Sequence, residues 1–268
     1  MIQKVSGQKD PVIQMLRELT GIDGRAAHNR YIVEGRELVR RAFDYGCAID
    51  SLIFTDRFAS DADCAEISTR AKQIGIPAYC ASEGLLGKIL EAKPTPECMA
   101  IVERRLKSLS DMFSGNISLV MMVEAGDNAD NLGMLLRSTD ATGTQGAILS
   151  AQTTDPFSRR VVRGSRGAVF TVPLCITHSS GKAIHAARQA GLQVIATSAQ
   201  SDVVYSDLDL TGPVMVVVGN EHVGISDEVR QSADVVARIP MLGKINSLNI
   251  AVAASIVLYE AIRQRNCS

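Results

Sequence analysis

Two stretches near the C-terminal end of this 268-residue chain put polar side chains where small ligands are held. The first, Val214 to Ser226 (VMVVVGNEHVGIS), runs apolar and β-branched up to Gly219 and then turns polar through Asn220, Glu221, His222, Val223 and Gly224. That is the pattern of a buried strand entering a tight turn. The second, Arg238 to Ala254 (RIPMLGKINSLNIAVAA), ends a short strand at Pro240 and enters a loop built on Gly243, Ser247 and Asn249. Small and apolar residues then continue at helical spacing. Two strand ends thus present carboxylate, amide and hydroxyl groups side by side, which in open α/β sheets is where ligands bind. Read singly, Ser247 also fits a helix N-cap and His222 a turn residue.

Cations gather in two other stretches. From Gly24 to Arg41 stand Arg25, His28, Arg30, Arg36, Arg40 and Arg41, opposed by Glu34 and Glu37. From Ser158 to Ala168 (SRRVVRGSRGA) come Arg159, Arg160, Arg163 and Arg166, with no acid nearer than Asp155. Either stretch can be a solvated helix face. The chemistry they offer is phosphate contact, which anchors RNA or DNA without specifying its sequence. Arg25, Arg30, Arg36, Arg159, Arg163 and Arg166 are the candidates. Because the formal net charge is only -1, such a partner would have to be met by a local patch.

Other chemistries fit less well. The strand ending in Glu124, Ala125 and Gly126 continues with Asn128 and Asp130 where a dinucleotide-binding loop needs further glycines. No GxSxG nucleophile elbow is present, and His28, His178, His185 and His222 lack metal-ligand spacing, so no metal is expected. The six cysteines form no CxxC pair and read as reduced packing thiols. No apolar run is long enough for a transmembrane helix, and the N-terminus (MIQKVSGQKDP) lacks a signal peptide's apolar stretch, which points to the cytoplasm.

The elements that must position these residues alternate, which makes the chain α/β. With 46% hydrophobic and 21% charged residues it can bury a substantial core. Asp10 and Pro11 open a helix bearing Val12, Met15, Leu16 and Leu19 on one face. Leu38, Val39, Ala42 and Phe43 form the apolar side of a helix through the first cationic stretch. Strands over Leu52–Thr55, Ile76–Cys80 and Met99–Glu103 alternate with helices over Asp61–Ile74 and Leu85–Leu90. A small N-terminal α/β domain over 1–107 follows, with polar 108–116 as a linker and a second α/β domain over 117–268. The latter opens with an apolar strand over Leu119–Glu124. Asp130 or Asn131 can cap the next helix, in which Arg137 lies six residues after Asn131 and reads as a surface arginine. Further strands cover Ala147–Ser150, Val172–Ile176 and Gln193–Ala196, and the last helix runs from about Leu248 to Arg263.

Three segments carry a family resemblance: Asn131, Leu132 and Gly133 with Arg137; Gly219, Asn220 and Glu221 with Gly224 and Ser226; Ile239, Pro240 and Met241 with Gly243, Ser247, Leu248 and Asn249. In this order they resemble the three motifs of the SpoU (TrmH-type) branch of the SPOUT RNA ribose methyltransferases. Ser165, Gly167, Ala168 and Pro173 are similar to the family's intermediate segment. Tyr31 to Val39 and Pro94 to Val102 look like its N-terminal substrate-binding domain, similar in fold to kink-turn-binding ribosomal proteins. The layout is similar to members acting on large-subunit ribosomal RNA, antibiotic-resistance methyltransferases among them.

The resemblance implies a parallel sheet whose C-terminal segment threads a deep trefoil knot, a rare exception to unknotted topology. It implies S-adenosyl-L-methionine bound bent in that knot, at Thr197, Gly219, Asn220, Ile239, Met241 and Leu248. It implies a homodimer with the active site at the subunit interface, to which the small residues of the last helix are suited. The catalytic set carried over is Arg137, Asn131, Glu221, Ser247 and Asn249. A ribose 2'-hydroxyl is a poor nucleophile, so catalysis must align an in-line transfer and help remove a proton. Family proposals make the arginine the base, but a guanidinium stays charged in proteins. The role read here for Arg137 is to hold the neighbouring phosphate and stabilise developing alkoxide charge. The chain departs from the pattern at Glu124, where the family has aspartate, and at Asn128-Ala129, where it has Asp-Pro. The expected activity is ribosomal RNA 2'-O-methylation, the alternatives being a transfer RNA substrate or a non-catalytic RNA-binding protein of the same fold.

Overall fold

The computed structural model describes residues 2–5, 7–244 and 247–266. The chain divides into two compact units, one of Met1–Arg104 with Phe157–Phe170, the other of Arg105–Pro156 with Thr171–Ser268.

The first unit is a mixed five-stranded sheet with helices. In chain order it comprises β1 (Gln3–Lys4), α1 (Pro11–Glu18), α2 (Ile22–His28), β2 (Arg30–Glu34), α3 (Arg36–Asp44), β3 (Ile49–Thr55), α4 (Ala62–Gln73), β4 (Ala78–Ala81), α5 (Glu83–Leu90) and β5 (Cys98–Glu103). The sheet order is β1-β4-β3-β5-β2. Strand β5 runs antiparallel to both neighbours, while β1, β4 and β3 are parallel. Helix α1 starts where Asp10 and Pro11 suggest, the Asp10 carboxylate accepting from Val12 N at 3.2 Å. Its buried face, Val12, Ile13 and Leu16, packs with Leu19, Ile32, Ile53, Leu86, Met99 and Ile101. The first cationic stretch is not one helix. Tyr31, Ile32 and Val33 form a buried strand paired with β5, bounded by left-handed Asn29 (φ 51°) and by Gly35 (φ 90°). Consecutive β-branched and aromatic residues buried on both faces favour a strand over a helix there.

The second unit opens with α6 (Leu109–Met112), β6 (Leu119–Val123), α7 (Ala129–Ala141) and β7 (Ala147–Ser150). Next come α8 (Arg159–Ser165) and α9 (Ala168–Thr171), whose residues through Phe170 belong to the first unit. The second unit then resumes with β8 (Leu174–Thr177), α10 (Ser180–Gln189), β9 (Gln193–Thr197), β10 (Val214–Val218), α11 (Asp227–Ser232), β11 (Val235–Ala237) and α12 (Ile250–Asn266). Six strands pair in the order β11-β9-β10-β6-β7-β8, every pairing parallel. All residues of β6 and β10 are buried, as continuous Val and Met runs in parallel strands require. The register sets Val218 opposite Val123, Val217 opposite Ala196 and Ala237 opposite Thr197. The C-terminal ends of β6, β9, β10 and β11 therefore lie along one edge.

Three expectations change. Residues 108–116 are not a linker: Ser108 caps α6, and Met112 is buried among Val120, Ile148, Cys175 and Leu192. Gly146 leaves room for it, since an added Cβ would stand 2.2 Å from the Met112 sulfur. The domain boundary is also discontinuous, because 157–170 joins the first unit. The cap of α7 is neither Asp130 nor Asn131 but Asn128, whose Oδ1 accepts from Asp130 N at 2.9 Å and Asn131 N at 3.2 Å. Among the described residues, no helix is long and apolar enough to cross a membrane.

Candidate functional site

The loops leaving β6, β10 and β11 meet through three side chains distant in sequence. Asn131 Nδ2 donates to Glu221 Oε1, and Asn131 Oδ1 accepts from Asn249 Nδ2 at 2.8 Å. Glu221 Oε1 also accepts from Ile250 N at 3.3 Å. Asn249, not Ser247, is the N-cap of α12, its Oδ1 accepting from Ala251 N at 2.9 Å. One buried amide, Asn131, thus has its donor and acceptor committed to two other loops.

Beside this hub lies a cavity of about 440 Å³ lined by loops following β9, β10 and β11. Its volume is that of a small-molecule site. Thr197, Gly219, Asn220, Ile239, Met241 and Leu248 all line it, as do Glu221, His222 and Ser247. Gly219 cannot carry a side chain: an added Cβ would lie 2.3 Å from the Gly224 carbonyl carbon. Asn220 builds the turn, its Oδ1 accepting from His222 N at 2.8 Å and its Nδ2 donating to Ala125 O at 2.8 Å. Gly224 closes it with N donating to Asn220 O at 2.8 Å, at a φ of 74° that favours glycine.

Arg137 is apart from the hub. It is exposed on α7 and does not line the cavity, because six residues along a helix turn it away from Asn131. Met134, one turn earlier on α7, is also exposed. Glu124, the departure at the end of β6, faces neither. Its buried carboxylate accepts from Ser226 N at 2.8 Å, Ser226 Oγ at 2.9 Å and Ser180 Oγ at 2.8 Å, fixing the start of α11.

The structure separates the six arginines proposed for nucleic acid. Arg25 is buried, its Nη1 donating to Leu19 O at 2.9 Å and Thr20 O at 2.8 Å, so it closes the end of α1 and has no phosphate role. Arg159 is likewise committed, pairing with buried Glu34 and donating to Leu90 O at 2.6 Å. Arg30 pairs with Asp50 at 3.5 Å and Arg36 with Asp63, which raises the Arg36 pKa. Arg163 and Arg166, both on the exposed side of α8 or at its end, remain available. Sequence spacing could not separate these roles, since it does not say which guanidinium faces a carbonyl.

Arg230 and Ser198 also line the cavity, with no motif to signal them. His222, which the sequence offers as a turn residue with ligand contact as the second reading, donates its N–H within the turn and also lines the cavity.

Comparison with known proteins places this geometry among relatives. The sequence profile of the SpoU rRNA Methylase family matches residues 118–259. A 23S rRNA (uridine(2479)-2'-O)-methyltransferase of Streptomyces viridochromogenes is 30% identical over 248 residues, 90% of this chain and 85% of its own. The 23S rRNA (guanosine-2'-O-)-methyltransferase RlmB of Pseudomonas aeruginosa is 32% identical over 163 residues, 61% of this chain and 65% of its own. The crystal structure of an AdoMet-bound rRNA methyltransferase from Sinorhizobium meliloti superposes with a TM-score of 0.87 at 30% identity, covering 98% of each chain.

Proposed function

Because the chain belongs to the SpoU rRNA methylase family, with S-adenosylmethionine as its cofactor, we propose that it methylates a ribose 2'-hydroxyl of 23S ribosomal RNA. The observation that carries this reading is the cavity beside the Asn131–Glu221–Asn249 hub. The residues fit the cofactor. Gly219 leaves the turn open where a Cβ would collide, Ile239, Met241 and Leu248 offer apolar walls, and Asn220 and Glu221 stand at the polar end. When bound, S-adenosylmethionine supplies an activated methyl on a sulfonium.

The protein's own groups must then align the ribose and handle its proton. Asn131 holds Glu221 and Asn249 in fixed positions, so the cavity mouth is preorganised before RNA arrives. Ser247, freed from capping duty by Asn249, can hydrogen-bond the ribose. Arg137 holds the adjoining phosphate and stabilises charge developing on the 2'-oxygen. Since Arg137 lies outside its own cavity, it serves the partner's cavity in a homodimer. Exposed Met134 on α7 and exposed Val252 and Tyr259 on α12 supply apolar surface for that contact. A trefoil knot also belongs to this reading. It is supported by the chain's path from central β10 out to edge strand β11 and back to α12 against α7 and β10. Arg163 and Arg166 are the arginines we assign to RNA phosphate, and the site of action is the cytoplasm.

The test is transfer of labelled methyl from S-adenosylmethionine into separate 23S ribosomal and transfer RNA pools. Label should enter 23S RNA and map to a 2'-O-methylated nucleotide, with roughly a hundredfold loss in Arg137→Ala. Label confined to transfer RNA would overturn the substrate. Intact cofactor binding without transfer to any RNA, assembled subunits included, would favour a non-catalytic RNA-binding protein.

A further inference from the structure

The cavity contains a cation that none of the motifs accounts for. Arg230, on α11, lines it together with Thr197, Ser198, Gln200 and Gly219. Its Nη2 donates to Ser198 Oγ at 3.3 Å. That hydroxyl is itself held, donating to Gln200 Oε1 at 2.6 Å and accepting from Gln200 N at 3.4 Å. A hydroxyl supplies no countercharge. Of the carboxylates nearest in sequence, Asp234 pairs with Arg188 and Glu228 accepts from Gly181 N at 3.1 Å, while Asp227, on the same helix, makes no ion pair with Arg230. Among the described residues, Arg230 therefore has a neutral partner and no acidic one.

The cavity is lined by one other charged side chain, Glu221, which the hub holds through Asn131 and Ile250 N. An acid on the turn after β10 and a guanidinium anchored to the loop after β9 thus put one charge of each sign on the cavity lining. The cofactor carries a sulfonium, an ammonium and a single carboxylate, so it offers cations to an acid and one anion to a guanidinium. A guanidinium is the side chain best shaped to hold a carboxylate, through parallel N–H donors.

We propose that Arg230, positioned by Ser198, binds the carboxylate of the cofactor's amino-acid tail and so sets the direction in which S-adenosylmethionine lies in the cavity. This rests on the reading of the cavity as the cofactor site. Arg230 is not among the motif residues that carry the family resemblance, so the contact is read from this chain's own α11.

Calorimetry with two ligands tests it on the full chain. S-adenosylmethionine and decarboxylated S-adenosylmethionine, which lacks only the carboxylate, are titrated into wild type, Arg230→Gln and Arg230→Lys. Arg230→Gln should weaken S-adenosylmethionine by roughly ten- to hundredfold and leave the decarboxylated compound at its wild-type affinity. Arg230→Lys, which keeps the charge but not the fork, should lose less. Equal weakening of both ligands would overturn the proposal, making Arg230 a packing or adenosine-contacting residue, and so would unchanged S-adenosylmethionine affinity in Arg230→Gln. Wild type that binds neither ligand would instead sink the cofactor-site reading, and the proposal with it. Arg230 is exposed, so both variants should keep the wild-type melting temperature, which is measured alongside.

Discussion

Asn131 is the residue on which the most depends, because its single amide joins three loops. Asn131→Ala removes the amide that links Glu221 to Asn249, leaving Glu221 with Ile250 N and Asn249 with its cap to Ala251 N, so the two loops lose their common tether. Methyl transfer should fall by roughly a hundredfold, and adding Asn249→Ala should lower it little further, since residues of one network are not additive. Full additivity in the double variant would show that the two act separately. Gly219 makes a sharper case. With a Cβ 2.3 Å from the Gly224 carbonyl carbon, Gly219→Ala must displace the turn that lines the cavity. Its S-adenosylmethionine affinity should drop at least about tenfold by calorimetry while the sheet remains folded; wild-type affinity would mean that the turn yields without consequence.

At the scale of elements, α7 and α12 are the two helices whose ends set the site. Helix α7 starts at Ala129, whose N–H donates no bond to the Asn128 cap, and Asn128 itself is extended at ψ 118°. Both are conditions that proline tolerates. Ala129→Pro should therefore raise unfolding stability by about 0.5–1 kcal/mol, read from urea denaturation; a loss would mean that this loop needs the freedom alanine allows. Helix α12 is fastened at its far end. Arg265 donates to Leu210 O at 3.0 Å, Ser118 O at 2.8 Å and Gly212 O at 2.7 Å, while Gln264 bonds Leu208 O and accepts from Leu210 N. Burial pushes the Arg265 guanidinium below its ordinary pKa, yet those carbonyls hold it in place. Arg265→Ala should cost about 2–4 kcal/mol in the same assay, and a change under about 0.5 kcal/mol would show the clasp to be incidental.

For the whole molecule, the decisive question is whether one chain can act alone. Arg137 lies outside the cavity that Ser247 lines, so each protomer should lend its arginine to its partner's cavity. Co-expressing Arg137→Ala with Ser247→Ala should then produce mixed dimers that methylate RNA although neither variant does so alone. A mixture that stays inactive, with mixed dimers present, would place both residues in a single protomer. Sedimentation of Tyr259→Glu, which charges the exposed face of α12, checks the same interface by its shift toward monomer.

Much of this was legible in the sequence because some features are local. The buried strands β6 and β10 announce themselves as unbroken apolar runs, and the Gly219-Asn220-Glu221 and Ser247-Leu248-Asn249 segments name the loops that line the cavity. Chain order and residue type also identify the family. Tertiary structure alone decided the partnerships: Arg25 to the carbonyls ending α1, Arg159 to Glu34, Glu124 to Ser226, Asn128 rather than Asn131 to the helix cap, and Arg230 into the cavity. The physical reason is the same throughout. Hydrophobic periodicity and turn chemistry are written in neighbouring residues, whereas a long polar side chain finds its partner only after strands far apart in the chain are laid side by side.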